Sequence, residues 1–254
     1  MRIVYQDERI TLLRGLWQDV LPTLDPASID ALITDSPYGT TQLEWDIPVD
    51  WSQFWPALYR VCKPSAVQVM FSAQPFTTDL INSNRANYRY ELIWPKTMPT
   101  GFLDANRRPL RAHENIQIFS KALGSTAYNP QKVPGVPYKI IQLGQSSAAH
   151  YSNKTLRTSS ESDERHPTTV LPSFSKGFQP DSLHETGKPL ALMMWLVATY
   201  TNPGDLVLDP FMGSGSTAEA CKKLGRRCIG IEMREQPLEV AARRLSQDVM
   251  ELAL

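Results

Sequence analysis

Two short stretches of this 254-residue chain place reactive side chains where apolar runs end. In ALITDSPYG, Asp35-Ser36-Pro37-Tyr38 directly follows the apolar run 29–34. A plain turn would account for the proline but leaves the carboxylate and the phenol without a purpose. In DLVLDPFMGSGST, the run 206–208 leads to Asp209, and Gly213-Ser214-Gly215-Ser216-Thr217 then turns into a helical pattern. Such glycines let a backbone approach a ligand closely. Gly213, Gly215 and Ala218 satisfy GxGxxA, and Glu232 ends the next strand seventeen residues beyond Gly215, so by pattern alone a dinucleotide is admissible. A tight turn with no ligand is the plainer alternative. A phosphate-binding P-loop is excluded, because no Gly-Lys-Ser/Thr ending is present. Asp209 argues against both the empty turn and the dinucleotide. A carboxylate before the glycines repels a pyrophosphate but accepts from an ammonium group, which points to a zwitterionic adenosine ligand with Glu232 accepting from ribose hydroxyls.

The elements that must position these residues are legible in the periodicity. Strands are expected at 10–14, 29–34, 67–72, 90–94, 115–119, 206–208 and 228–231, and helices at 16–24, 51–61, 188–200, 217–224 and 237–252. Lys63-Pro64-Ser65 reads as a break between helix and strand. The last helix carries Leu238, Ala241, Leu245, Val249 and Leu252 along one face. Alternating strands and helices predict an α/β fold: a mostly parallel twisted sheet with helices on both faces, binding ligands at the carboxyl ends of its strands. Between 122 and 183 the character changes to Pro, Ser and isolated aromatics, and SSESDERHP at 159–167 reads as an exposed loop.

Composition narrows the class. Lys plus Arg and Asp plus Glu are both 26, so no global field attracts polyanions and any such attraction must be local. Cys62, Cys221 and Cys228 form no CxxC pair and have no histidine at ligand spacing, which predicts neither a disulfide framework nor a metal site. No secretory signal is evident at the start, and ALMMWLVA at 191–198 is far shorter than a bilayer span. A reducing cytoplasm and no membrane partner are the expectation.

Asp209-Pro210-Phe211-Met212-Gly213-Ser214-Gly215-Ser216-Thr217 resembles the S-adenosylmethionine motif of DNA amino-methyltransferases. Asp35-Ser36-Pro37-Tyr38 resembles their catalytic tetrad, usually Asp-Pro-Pro-Tyr, and His184-Glu185-Thr186-Gly187-Lys188-Pro189 is similar to the segment before their cofactor strand. Tetrad first, variable segment next and cofactor motif last is the permuted order of the family's β class. The resemblance implies a Rossmann-like methyltransferase fold with 1–121 as the catalytic half, 122–183 as an inserted target-recognition region and 184–254 as the cofactor half. It implies S-adenosylmethionine as cofactor, held by Asp209, Pro210, Phe211, Gly213, Gly215, Ser216, Thr217 and Glu232, with Thr186 and Lys188 beside them.

The resemblance also implies a mechanism for the tetrad. An exocyclic amine is a poor nucleophile because its lone pair is delocalised into the ring. In this family the tetrad carboxylate and the next residue's backbone carbonyl accept from the amine and orient that pair, roles that fall here to Asp35 and Ser36. Direct transfer then needs positioning and electrostatic complementarity. The base must leave the duplex, with Pro37-Tyr38 as its platform. Two positions depart from the family pattern. Ser36 replaces a proline, and Leu16 stands where the family often has an aspartate near the cofactor's adenine, leaving Asp7 or Asp19 as substitutes. Asp35 as the first tetrad residue favours N6 of adenine, with N4 of cytosine as the alternative. Cytosine C5 chemistry is excluded, since no cysteine follows a proline.

The neutral total conceals a basic region, because 96–188 holds twelve Lys plus Arg against seven Asp plus Glu. Arg107, Arg108, Arg111 and His113 precede the strand at 115–119, while Lys132, Lys139, Lys154 and Arg157 are interleaved with tyrosines, a mixture suited to phosphate and base contacts with double-stranded DNA. An ordinary solvated loop has the same composition. Ser36 and Leu16 also admit a DNA-binding protein on a decayed methyltransferase scaffold, and GxGxxA alone admits a nicotinamide-dependent oxidoreductase. Recognition sequence is not legible, and a homodimer stays open.

Overall fold

A computed structural model describes residues 1–40, 43, 46–138, 162–175 and 187–247. In chain order the elements are β1 (Arg2–Gln6), β2 (Ile10–Arg14), α1 (Trp17–Val20), β3 (Ile29–Thr34), α2 (Trp51–Val61), β4 (Cys62–Ser72), α3 (Phe76–Ser83), β5 (Tyr88–Thr100) and β6 (Arg111–Ser120). Then come β7 (Val133–Tyr138), β8 (Ser162–Arg165), α4 (Leu190–Tyr200), β9 (Leu206–Asp209), α5 (Ser216–Lys223), β10 (Arg227–Glu232) and α6 (Glu235–Gln247). The chain divides into one unit of 1–129 with 169–254 and a second of 130–168.

The larger unit is built on an eight-stranded sheet of order β1-β2-β10-β9-β3-β4-β6-β5. The run from β2 through β10, β9 and β3 to β4 is parallel, while β6 lies antiparallel between β4 and β5, and β1 pairs antiparallel with β2. From β3 the chain adds strands on one side through β4, and from β9 it adds them on the other through β10. The neighbours β3 and β9 are therefore the switch point of the sheet, and their carboxyl ends open side by side.

Strand periodicity sorts the core into two layers. Ala31 and Ile33 of β3 join Val67, Val69 and Val207 on the face covered by α4, α5 and α6, through Leu192, Leu196, Ala218, Cys221, Leu238 and Leu245. Leu32, Met70 and Leu208 point the other way, into a layer closed by Trp17 of α1, Phe54, Trp55 and Leu58 of α2, and Phe76 and Leu80 of α3. In α2 the buried positions Phe54, Trp55, Leu58 and Val61 follow helical spacing, and the Asp50 carboxylate caps the start by accepting from the Ser52 N–H at 3.0 Å. Cys62, Cys221 and Cys228 are free and buried.

Several expectations shift in detail. The 16–24 helix is one α-turn followed by a 3-10 turn at Leu21–Thr23, because Pro22 has no N–H to extend the α pattern. The helix ends at Val61 as expected, but β4 begins at once at Cys62 and Lys63-Pro64-Ser65 bulges within it, where Ile29 pairs with Cys62 and Ala31 with Val67. β1 and α3 are additional elements, the first short and largely exposed, the second spanning only Phe76–Ser83. The terminal-face residues Val249 and Leu252 lie outside the described residues. In the smaller unit, β7 and β8 pair antiparallel, and Lys132 ion-pairs with Glu164 at 3.0 Å. The expected exposed loop at 159–167 thus holds a strand, since backbone pairing with β7 needs no buried face. Among the described residues no helix is long and apolar enough to cross a membrane.

Candidate active site

The site grows from the switch point. β3 ends at Thr34, and the next residue is Asp35; β9 ends at Asp209, and the next is Pro210. One cavity of about 500 Å³ is lined by the whole tetrad Asp35, Ser36, Pro37 and Tyr38 and by Asp209, Pro210, Phe211, Gly213, Ser216, Thr217 and Glu232. That volume lies within the usual range for small-molecule sites. Lys188 and Glu114 also line it. Gly215 does not, but it makes the turn into α5: its φ is 82°, and an added Cβ would sit 2.8 Å from the Ala241 Cβ. Gly213 has φ 55°, with nothing within 4 Å of where a Cβ would stand. Backbone is thus open to a ligand there, and a side chain would both strain the turn and fill the opening. Thr186 lies outside the described residues.

Asp209 is not a free acceptor. Its Oδ1 takes the Thr34 hydroxyl at 2.6 Å and the Phe211 N–H at 3.2 Å, and its Oδ2 takes the Thr217 hydroxyl at 2.5 Å. The carboxylate therefore ties the end of β3, the start of α5 and its own turn together. Burial pushes its pKa up to about 6, against the opposing hydrogen bonds from Thr217 and Thr34. Glu232 at the end of β10 accepts from the Gly213 N–H at 3.0 Å and the Arg234 N–H at 2.9 Å. The Arg234 Nε also reaches it at 3.3 Å; a carboxylate offers about four acceptor directions, so Glu232 retains one for a ligand hydroxyl. Phe211 packs against Phe54 of α2 with ring centroids 5.9 Å apart and presents an aromatic wall to the cavity.

The tetrad carboxylate sits in a buried charge network that the sequence reading missed. Asp35 Oδ2 meets Lys188 Nζ at 2.5 Å, Lys188 reaches Glu114 at 3.2 Å, and Glu114 in turn pairs with Lys96. The Lys188 ammonium also lies 4.8 Å from the centre of the Phe71 ring. Burial would lower the Lys188 pKa, but Asp35 and Glu114 outweigh it and raise it; burial would raise that of Glu114, but Lys188 and Lys96 hold it down. Both groups are held charged. Lys188, expected beside the cofactor, lines the cavity and commits its ammonium to Asp35. The signal was present, because Glu114 shares a face with Ile116 and Ile118, and Lys96 shares one with Trp94 and Leu92. Opposite charges at the ends of two buried strand faces imply pairing.

Tyr38 donates to Asp35 Oδ1 at 2.9 Å and stacks on Phe76 of α3, with centroids 4.5 Å apart and planes 17° from parallel. Burial, and then the Asp35 charge, push the Tyr38 phenol well above its usual pKa, so it stays a donor. One face of the expected platform is thus already backed by Phe76. Ser36 is buried, and its hydroxyl has no hydrogen-bond partner among the described residues. Leu16 lines the cavity, as does Gln18. Asp7 is held by Lys222 at 2.9 Å and by Tyr5, and neither it nor Asp19 lines the cavity, so neither replaces the aspartate missing at Leu16.

Arg107, Arg108, Arg111 and His113 are exposed where β5 turns into β6. Arg108 pairs with Asp104 at 2.5 Å, and Arg111 donates to the Gln74 carbonyl at 3.2 Å. Lys132 is engaged by Glu164. Lys139, Lys154 and Arg157 lie outside the described residues.

Fold and site together define a Rossmann-like methyltransferase domain in permuted order. Residues 29–243 match the N6_N4_Mtase family model, DNA methylase, and the chain belongs to that family. Among its relatives, type II methyltransferase M.HpaI of Haemophilus parainfluenzae is 28% identical over 249 residues, covering 90% of this chain and 71% of its own. Type II methyltransferase M1.MboII of Moraxella bovis is 28% identical over 242 residues, covering 86% and 89%. The crystal structure of an M1.HpyAVI–SAM complex aligns with TM-score 0.59 and 25% identity over 92% of this chain and 99% of that one. The PvuII cytosine-N4-specific DNA methyltransferase aligns with TM-score 0.71 over 98% of this chain and 90% of that one, and at 17% identity this likeness shows the fold alone.

Two predictions follow from the charges. Asp209 has a native pKa of about 6, above the unfolded value near 3.9, so its protonated form stabilises the fold fully below about pH 4 and that contribution is lost as pH rises through about 6. Relative to Asp209→Asn, wild-type stability in urea should therefore fall between pH 4 and 7, by roughly 2 to 3 kcal/mol; a pH-independent difference would contradict the assignment. Lys188→Met leaves Asp35 with no cationic partner and Glu114 with Lys96 alone, and should cost about 3–5 kcal/mol. Adding Glu114→Gln should recover part of that loss, whereas simple additivity in thermal denaturation would show that the two do not interact.

Proposed function

We propose that this chain is an S-adenosylmethionine-dependent DNA amino-methyltransferase that acts on N6 of adenine in duplex DNA. The observation that carries this reading is the opening of the tetrad and the glycine turn into one cavity, from adjacent strand ends. The cavity suits the cofactor chemically: open backbone at Gly213, an acceptor at Glu232 for a ribose, and the Phe211 ring for a base. When bound, S-adenosylmethionine supplies an electrophilic methyl group on sulfur. Three donors on Asp209 hold the turn in shape and leave it one acceptor direction for the ammonium.

On the substrate side, Asp35 and the Ser36 backbone carbonyl accept from the target amine and localise its lone pair. Tyr38 and Lys188 each hold one oxygen of Asp35, so the carboxylate is oriented before substrate arrives and little reorganisation accompanies reaction. Positive charge developing on the amine nitrogen meets this fixed carboxylate. Serine at position 36 leaves the backbone carbonyl in place, so the proline is dispensable for that contact. The flipped base rests on Tyr38, which Phe76 supports from behind. Adenine is favoured because Asp35 begins the tetrad, as in the adenine-directed members of the family resembled. Arg107, Arg108, Arg111 and His113 are assigned to backbone contacts, and 122–183 to target recognition. A cytoplasmic location suits an enzyme acting on DNA.

Incubation with DNA and S-adenosylmethionine, digestion to nucleosides and mass spectrometry should yield N6-methyladenine. N4-methylcytosine as the main product would refute adenine, and neither product would favour an inactive DNA-binding scaffold. Asp35→Ala should lose a factor of about 100 or more in rate while calorimetry shows cofactor affinity little changed; a variant retaining more than about a tenth of the rate would remove Asp35 from its role.

A further inference from the structure

The turn from β5 to β6 exposes large apolar side chains that no contact among the described residues explains. Leu103 is fully exposed, Phe102 is 62% exposed and Met98 is 74% exposed. This tip is nonetheless built rather than loose. Gly101 turns the chain at φ 92°, a 3-10 turn runs Phe102–Asp104, and the Asp104 carbonyl accepts from the N–H groups of Arg107 and Arg108 at 2.8 and 3.0 Å. Thr100 pairs with Arg111 across its base. Presenting phenyl and isobutyl groups to water from a hydrogen-bonded turn is unfavourable unless something covers them.

Position and charge identify what does. β6 runs antiparallel to β4, so its first residues emerge at the edge where β3 and β9 end. Glu114, which joins the Lys188–Asp35 pair, lies three residues into β6, so about 10 Å of strand separates the reacting carboxylate's network from the base of the tip. Behind the apolar residues stand Arg107, Arg108 and Arg111, against a single acidic residue, Asp104, already paired with Arg108. An apolar point with a basic collar, beside a pocket for an extruded base, is complementary to a stacked polyanion. Proteins that open a duplex insert Phe, Leu or Met between base steps while cations hold the flanking phosphates.

We infer that Phe102 and Leu103 form a wedge that enters the base stack beside the nucleotide delivered to Asp35 and Tyr38, with Arg107 and Arg111 on the neighbouring phosphates. This rests on the reading of the site as one for a base extruded from duplex DNA. The wedge offsets the unstacking that extrusion requires. Its loss should therefore be felt on a fully paired target and little on one already unstacked by a mismatch.

The test uses the full chain and oligonucleotide duplexes carrying the site that wild-type protein methylates, mapped by base-modification sequencing. One duplex is fully matched, and the other carries a mismatch opposite the target base. The double variant F102S/L103S should lose about tenfold or more in kcat/KM on the matched duplex and less than about threefold on the mismatched one. Phe102→Trp should retain most of the activity, and both variants should melt like wild type, since the altered side chains are exposed. Equal losses on the two duplexes, or none, would overturn the wedge while leaving the assigned reaction standing. Loss of self-association by light scattering without a matched-duplex defect would overturn it in favour of an interface between copies. Absence of any methylation by the wild-type protein would overturn the wedge together with the functional reading beneath it.

Discussion

The arrangement of this site depends on a carboxylate shared between two strand ends. Asp209 closes β9 and accepts from Thr34 at the end of β3 and from Thr217 at the start of α5. Those hydroxyls belong to elements 175 and 8 residues away in sequence. Through them, the glycine turn and the stretch that presents Asp35 are held at one spacing. Three neutral donors satisfy the carboxylate without neutralising it, and burial outweighs them, raising its pKa to about 6. The candidate site is therefore assembled at some expense to stability, as is common where a site requires polar groups to be preorganised.

A second constraint acts on Asp35 itself. Its oxygens are fixed by Tyr38 and Lys188, and the lysine is fixed in turn by Glu114, which Lys96 balances. Two carboxylates and two ammonium groups alternate along this chain, so no member is left unpaired in a largely buried place. Each comes from a different element: the turn after β3, the segment before α4, β6 and β5. Strand pairing at the antiparallel edge of the sheet is therefore coupled to the geometry of the tetrad, and β5 and β6 serve the site without contributing to the glycine turn.

Much of this was legible in the chain. Strong periodicity marked the parallel strands and α2 because each buries a whole face, and the tetrad and glycine turn were visible as polar interruptions immediately after apolar runs. Asp209 was singled out as an acceptor for a ligand; its partners Thr34 and Thr217 carry no local sign that they converge. Glu114 and Lys96 were readable from alternation, as charges on faces set by isoleucine and tryptophan, but only once β5 and β6 were extended beyond their apolar centres. The support of Tyr38 by Phe76 depends on α3, too short for its pattern to stand out. Contacts made across the sheet edge from remote segments have no periodic signature.

The central claim is that these two strand ends form a single reaction centre. A crystal structure with an S-adenosylmethionine analogue bearing an amine in place of the transferable methyl tests it most directly. The account predicts the analogue in this cavity, its nucleoside against Gly213, Phe211 and Glu232, and the amine directed at Asp35 and the Ser36 carbonyl within about 4 Å, the range of a reacting contact. An analogue bound elsewhere, or bound with that amine turned away from the tetrad, would contradict it.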